Sequence, residues 1–192
     1  MNLNDINLLV ISGPSGSGKG TLITKCLHEN SNLTVAISAT TRPPRKNEIN
    51  DKDYYFLSDD QFDQYIKEDK FVEFCKVHQY RYGTLKDELV RITKLNKIVL
   101  LEIDTKGAQK IKDSIKSAIF VFIAAPDLCI LKQRLLDRKT ETLVQIQKRL
   151  KTAEQELTQI EHYDYVIIND IVNTAYFELE KIIKNSFIER SA

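Results

Sequence analysis

The sequence predicts an α/β fold in which a parallel sheet is flanked by helices on both faces. Three observations predict it. The run Leu8–Ile11 has the length and unbroken hydrophobicity of a strand buried on both faces, Ile98–Leu101 reads as another buried strand, and Ala118–Ala124 and Tyr165–Ile168 read as further strands. Between them lie stretches whose apolar residues recur at helical spacing. The first run ends in a glycine-rich turn that leads directly into one of those stretches, so strand, turn and helix follow one another as a parallel sheet requires.

The elements follow in order. Leu8–Ser12 is the first strand, and Leu22, Ile23, Cys26 and Leu27 give the next helix its buried face. Thr34–Ser38 reads as a second strand, after which Pro43 and Pro44 keep the segment from Thr40 to Arg45 irregular. From about Asp53 to His78 the pattern changes. Tyr54–Phe56 reads as a strand, Ser58 and Gln61 as a capping box ahead of Phe62, Tyr65 and Ile66, and Phe71–Val77 alternates like a half-exposed strand. This part is expected to form a small antiparallel lobe. Thr84 is placed to cap a helix carrying Leu85, Leu89 and Ile92, and the strand that begins at Ile98 ends in acid at Glu102 and Asp104. Leu143, Ile146, Leu150, Ala153, Leu157 and Ile160 keep a regular helical repeat, with Thr140 or Thr142 as its start, and Asn173 to Arg190 is helical by the same reading.

The totals exclude several classes. With 28 basic against 27 acidic residues and a net charge of +1, no polyanion such as a nucleic acid is expected as partner. Cys26, Cys75 and Cys129 are odd in number and scattered, which suits reduced thiols in the cytoplasm and no metal site. No apolar stretch approaches the ~20 residues of a membrane span, and the N-terminus lacks the profile of a signal peptide. A single domain over residues 1–192 is expected.

Four of the six glycines fall in Gly13-Pro14-Ser15-Gly16-Ser17-Gly18-Lys19-Gly20-Thr21. The spacing Gly13-x-x-x-x-Gly18-Lys19 is that of a P-loop. There, glycines let successive backbone N–H groups turn inward on a phosphate, and the lysine reaches the terminal phosphates. The helix that follows directs its positive end at the same anion. Gly20 stands where a Ser or Thr ligand of Mg²⁺ is usual, but Thr21 follows at once, and a GKGT ending is common among nucleoside monophosphate kinases.

Eight pieces in sequence then make the chain resemble the guanylate kinases over nearly its whole length. They are GPSGSGKGT, SATTRPPR, DYYF, FVEF, YRYGT, LEIDTKGAQ, RLLDRKTET with KRL, and VIIND. The resemblance implies a P-loop core of about 1–37, 97–127 and 157–192, a GMP-binding lobe of about 38–96 and a helical lid of about 128–156. It implies transfer of the γ-phosphoryl group of ATP to GMP, dependent on Mg²⁺. Residues 13 to 21 together with Asn169 and Asp170 would meet ATP. Arg42, Arg45, Tyr54 and Tyr82 would hold the acceptor phosphate, and Glu73 with Asp104, Ser38 and Thr84 would meet the guanine. Arg134, Arg138 and Arg149 match the lid arginines, which join Lys19 in neutralising the migrating group.

The chemistry of these residue types agrees. Arginine forks suit phosphate oxygens. Guanine offers N1–H and an amine as donors where adenine offers a bare acceptor, so a carboxylate selects guanine. Mg²⁺ would be held through phosphates and water, with Thr21, Glu102 and Asp104 as candidate oxygens. Glu102 stands where the family commonly has Asp, and Thr84 where Ser is more usual. Two other readings remain at this point: a guanylate-kinase-like module that binds proteins without catalysis, and a kinase of another acceptor such as AMP, dTMP or a sugar phosphate. The sequence leaves monomer and small homo-oligomer equally open.

Overall fold

The computed structural model describes residues 2–77, 79–138 and 142–188. His78, Thr140 as an alternative helix start, and the end of the last expected helix at Arg190 lie outside them.

The large sheet contains β1 (Leu8–Ser12), β2 (Leu33–Val35), β7 (Ile98–Glu102), β8 (Ile119–Ala124) and β9 (Tyr165–Ile168), in the order β2-β7-β1-β8-β9. Every pairing within it is parallel. β1 is central and buried throughout, and its side chains alternate between two cores. Leu9 and Ile11 join Leu22, Ile23 and Cys26 of α1 (Lys19–Glu29) and Leu179 and Ile183 of α7 (Val172–Ile183). Leu8 and Val10 join Leu89 and Ile92 of α3 (Lys86–Lys94) and Ala108 and Ile111 of α4 (Thr105–Ser114) on the other face. β9 forms the edge of the sheet, and Tyr165, Val166 and Ile168 are exposed there.

Between β2 and β7 the chain builds a second sheet from β3 (Ala39–Thr40), β4 (Tyr55–Phe56), β5 (Phe71–Val77) and β6 (Tyr80–Leu85), in the order β4-β3-β6-β5. It is mixed, not antiparallel: β3 pairs in parallel with β4 and antiparallel with β6. α2 (Asp59–Lys67) covers it, opened by the expected capping box in which Ser58 and Gln61 exchange side-chain and backbone bonds. Phe62 stacks on Phe71 with ring centroids 4.4 Å apart, and with Ala39 they form the lobe's own core.

Two expectations are corrected here. Thr84 lies in β6 and caps nothing: its hydroxyl donates to Glu73, and α3 starts after Leu85 with no side-chain cap. β2 stops at Val35, short of the expected Ser38. The Ile37 N–H leaves the ladder and donates to the Glu88 carboxylate at 2.9 Å.

Glu88 is buried at 2% exposure and also accepts from the Tyr55 hydroxyl at 2.9 Å and from two Arg91 nitrogens at 2.8 Å. Burial alone would raise this carboxyl, but bonds from Arg91, the Ile37 N–H and Tyr55 outweigh it and hold the pKa below the ordinary value. Glu88→Ala leaves the Ile37 and Tyr55 donors without an acceptor, and the expected loss in a denaturant titration is about 2–4 kcal/mol. Because the folded pKa is depressed, the stabilisation is full above the unfolded value and fades as pH falls through the folded one.

α5 (Leu128–Asp137) and α6 (Leu143–Leu157) pack beside the glycine loop. Thr142 starts α6 in a second capping box, with Gln145. Ile146 and Ala153 bury the apolar repeat, whereas Leu143 remains exposed and Ile160 falls in a separate 3-10 turn. No described helix is long and apolar enough to cross a membrane.

Candidate functional site

β1 and β8 are adjacent, yet the chain leaves them toward opposite edges of the sheet. A crevice at the carboxyl ends of such strands is where this architecture places ligands. The glycine loop sits there. Gly13 has φ 144°, and a Cβ on it would lie 2.0 Å from the Ile123 carbonyl oxygen of β8. Gly18, at φ 91°, is the residue before α1, and a Cβ there would meet the Asn169 amide at 2.2 Å. Both contacts exclude side chains, so the loop can pack this closely only as glycine. At Gly20 nothing lies within 4 Å of a Cβ position, so packing does not explain why Ser or Thr is missing there.

The Lys19 ammonium donates to the Gly13 and Pro14 carbonyls at 2.5 and 3.0 Å. Burial pushes its pKa below the ordinary lysine value, opposed by Glu102 and Glu156 and reinforced by Arg138. The sequence reading missed Glu156, on α6. Burial raises its carboxyl to about 7 against the pull of Lys19. It follows Arg149 by two helical turns, a spacing that was available as a signal.

The three arginines gather around this loop. Arg134 of α5 donates to the Asn169 carbonyl at 2.9 Å. Arg138, exposed at the end of α5, is close enough to act on Lys19 electrostatically. Arg149 of α6 donates to the Ser15 hydroxyl at 2.6 Å. Asn169 is buried and its amide donates to the Ser17 carbonyl at 2.8 Å, bracing the loop from the end of β9, while Asp170 beside it is exposed. Thr21 and Glu102 are exposed near the same edge.

The second half of the site lies where the lobe meets the core. Glu73 on β5 is the cross-strand partner of Thr84 on β6, whose hydroxyl donates to it at 2.8 Å. Asp104 caps α4 by accepting the Gly107 N–H at 2.8 Å. A Cβ on Gly107 would lie 3.1 Å from a Glu73 oxygen and 3.2 Å from Asp104, so both carboxylates close on this one glycine. Cys75 also sits here, its sulfur 3.8 Å from both Asp104 oxygens. Burial lifts the Glu73 carboxyl to about 7; the Thr84 hydrogen bond lowers it, Asp104 raises it further and Lys110 lowers it. The helix end at Gly107 supplies partial positive charge to the same place.

Arg42, Tyr54 and Tyr82 form a third group. Arg42 is buried, with its guanidinium carbon 5.3 Å from the centre of the Tyr54 ring. Tyr54 stands edge-on to Tyr82 at 6.2 Å. Arg45 is exposed at the end of the same loop, and Ser38 is half-buried just before β3. The sequence reading missed Glu48, whose carboxylate bonds Arg42 at 2.8 Å, because a single acid in a polar loop carries no spacing signal.

Comparison with known proteins places this arrangement in context. The family model described as guanylate kinase matches residues 5–186. The guanylate kinase of Clostridium tetani is 43% identical over 176 residues, covering 92% of this chain and 84% of that protein. That of Caldanaerobacter subterraneus is 42% identical, covering 92% of this chain and 85% of its own length. The crystal structure of guanylate kinase from Anaplasma phagocytophilum superposes with a TM-score of 0.76 at 28% identity, over 95% of this chain and 87% of that one. The family match over residues 5–186, spanning both the glycine loop and the place where the lobe meets the core, together with relatives above 40% identity, establishes that the chain belongs to the guanylate kinase family.

Proposed function

We propose that the chain transfers the γ-phosphoryl group of ATP to GMP, giving ADP and GDP directly, with no covalent enzyme intermediate. The observation that carries this reading is the pairing of buried Glu73 with half-buried Asp104 against Gly107, separate from the Lys19 loop. An acceptor base that offers two donors satisfies a carboxylate left with free lone pairs. Adenine, with a bare acceptor at the same edge, would leave it unsatisfied.

In this reading the glycine loop and Lys19 hold the donor's phosphates. Arg42, Arg45, Tyr54 and Tyr82 hold the acceptor's phosphate, and Ser38 and Thr84 complete the pocket for its base. Arg134, Arg138 and Arg149 surround the loop and neutralise charge as the phosphoryl group moves between aligned oxygens. Asn169 acts by bracing the loop, and Asp170 lies beside it at the donor's end.

Among the described residues no group of three or more His, Cys, Asp or Glu forms a metal cage. The oxygens present, from Thr21, Glu102 and Asp104, are hard donors that suit Mg²⁺ carried mainly by phosphates and water. Bound there, Mg²⁺ would neutralise negative charge on the phosphates. The same reading includes a cytoplasmic location and a monomer or small homo-oligomer.

The test is a panel of GMP, AMP, dTMP and a sugar phosphate, each with ATP and Mg²⁺, read by ADP release and product identity. GMP is expected to be preferred over AMP by at least about 10³-fold in kcat/KM, the discrimination of a site that hydrogen-bonds its substrate's donors. Turnover of a different acceptor would reject the assignment, and nucleotide binding without turnover would favour a binding module.

A further inference from the structure

Arg42 is the buried member of the arginine pair, and the structure shows what keeps it in place. Its Nη2 donates to a Glu48 oxygen at 2.8 Å and its Nη1 to the Pro43 carbonyl at 2.9 Å. The other Glu48 oxygen accepts the Arg45 N–H at 2.7 Å. One carboxylate therefore binds both arginine positions of the loop, one through a side chain and the other through the backbone. The backbone is shaped for this. The Glu48 N–H donates to the Arg45 carbonyl at 3.0 Å, closing a turn, and Asn47 takes a left-handed φ of 78°, which asparagine tolerates better than most residues.

The Arg42 and Glu48 side chains are 10% and 19% exposed. In so sheltered a place the pair resists loosening by solvent, and the Arg42 guanidinium carbon also lies 5.9 Å from the centre of the Phe56 ring. The guanidinium has more N–H groups than Glu48 and Pro43 occupy, so it keeps donors for an incoming anion while remaining fixed.

We propose that Glu48 is a positioning residue for the acceptor phosphate: it pre-orders Arg42 and the Arg45 backbone so that the phosphate meets a formed site. This rests on the reading of Arg42 as a phosphate ligand. A flexible arginine would have to be ordered at each binding event, and holding it beforehand lowers that cost. The carboxylate acts only through Arg42 and Arg45, so its removal is felt by ligands that carry a phosphate and not by the base alone.

The experiment compares the full-length wild type with Glu48→Ala and Glu48→Gln at saturating ATP. It measures kcat and KM for GMP, and the Ki of guanosine, which has the base and no phosphate. For Glu48→Ala the expected result is a rise of about 10-fold or more in the KM for GMP, with kcat within about threefold and the guanosine Ki within about twofold, because only preordering is lost. Glu48→Gln is expected to fall between, since its amide oxygen can still accept one bond, and it carries the test if the alanine variant fails to fold. An unchanged KM for GMP overturns the proposal. So does a lowered KM, which would make Glu48 a competitor of the phosphate, and so does parallel weakening of GMP and guanosine, which would mean a general loosening of the lobe. Wild-type protein that does not phosphorylate GMP removes the underlying reading as well, an outcome distinct from the other three.

Discussion

Lys19→Ala is expected to lower kcat by about 10³-fold or more while leaving the melting temperature close to that of the wild type. The large kinetic effect follows from position. The ammonium is fixed by the Gly13 and Pro14 carbonyls at the carboxyl end of the central strand, with Glu102 and Glu156 near enough to oppose the effect of burial. A positive charge held in a sheltered crevice acts on phosphate oxygens far more strongly than one in water, and it needs no rearrangement as charge develops. The small effect on folding follows from its partners, which are loop carbonyls that water can satisfy once the side chain is gone. Circular dichroism and thermal melting separate the two effects. A variant that keeps a tenth of its activity would remove Lys19 from the catalytic machinery.

Glu73→Gln is the second large effect, with an expected fall of about 10² to 10³-fold in kcat/KM for GMP and a much smaller change for AMP. The amide would turn donors toward a base that offers donors, while Thr84 continues to occupy one oxygen. The wild type should also show a pH dependence that the variant loses. Glu73 is pushed up to about 7 and faces Asp104, Lys110, Thr84 and Cys75. Below that pH it is protonated and can no longer accept both guanine donors, so kcat/KM for GMP falls as pH drops through about 7. Stability moves in the opposite sense. A carboxyl with a raised folded pKa is destabilising when ionised, and that cost is relieved as pH falls through about 7 toward the ordinary value of 4.5. A GMP profile that stays flat from pH 6 to 8, or a Glu73→Gln variant with unchanged preference for GMP over AMP, would reject this role.

The elements legible in the sequence are those set by local pattern. β1, the glycine loop and α1 follow one another without reference to the rest of the chain, and both capping boxes are four-residue signals. Two of the elements that escaped notice, β6 and α4, each contain a glycine fixed by distant contacts. Gly83 interrupts the reading of Tyr80–Leu85 as a strand, yet a Cβ there would lie 2.8 Å from the Phe71 ring and 2.9 Å from the Glu73 carbonyl oxygen. Gly107 weakens the reading of Thr105–Ser114 as a helix, and it is small because two carboxylates close on it.

The candidate site divides in the same way. The glycine loop was legible from spacing, and the residues of the acceptor side came from resemblance. Cys75 was not legible, because what places it is the meeting of segments far apart in the chain, and Glu48 was not because its partners in the same loop leave no regular spacing. Thr84 shows the reverse error: a hydroxyl just ahead of an apolar repeat looks like a cap until the strand opposite supplies Glu73.

The small sheet is inserted between two strands that lie side by side in the large one, and Glu88 reaches both joins, bonding Ile37 on the way out and standing three residues after Leu85 on the way back. The joins are therefore set close together and tied by a single side chain. A rotation of the lobe against the five parallel strands would act on that tie and on the contact of β5 with α4, with the glycine loop lying outside both.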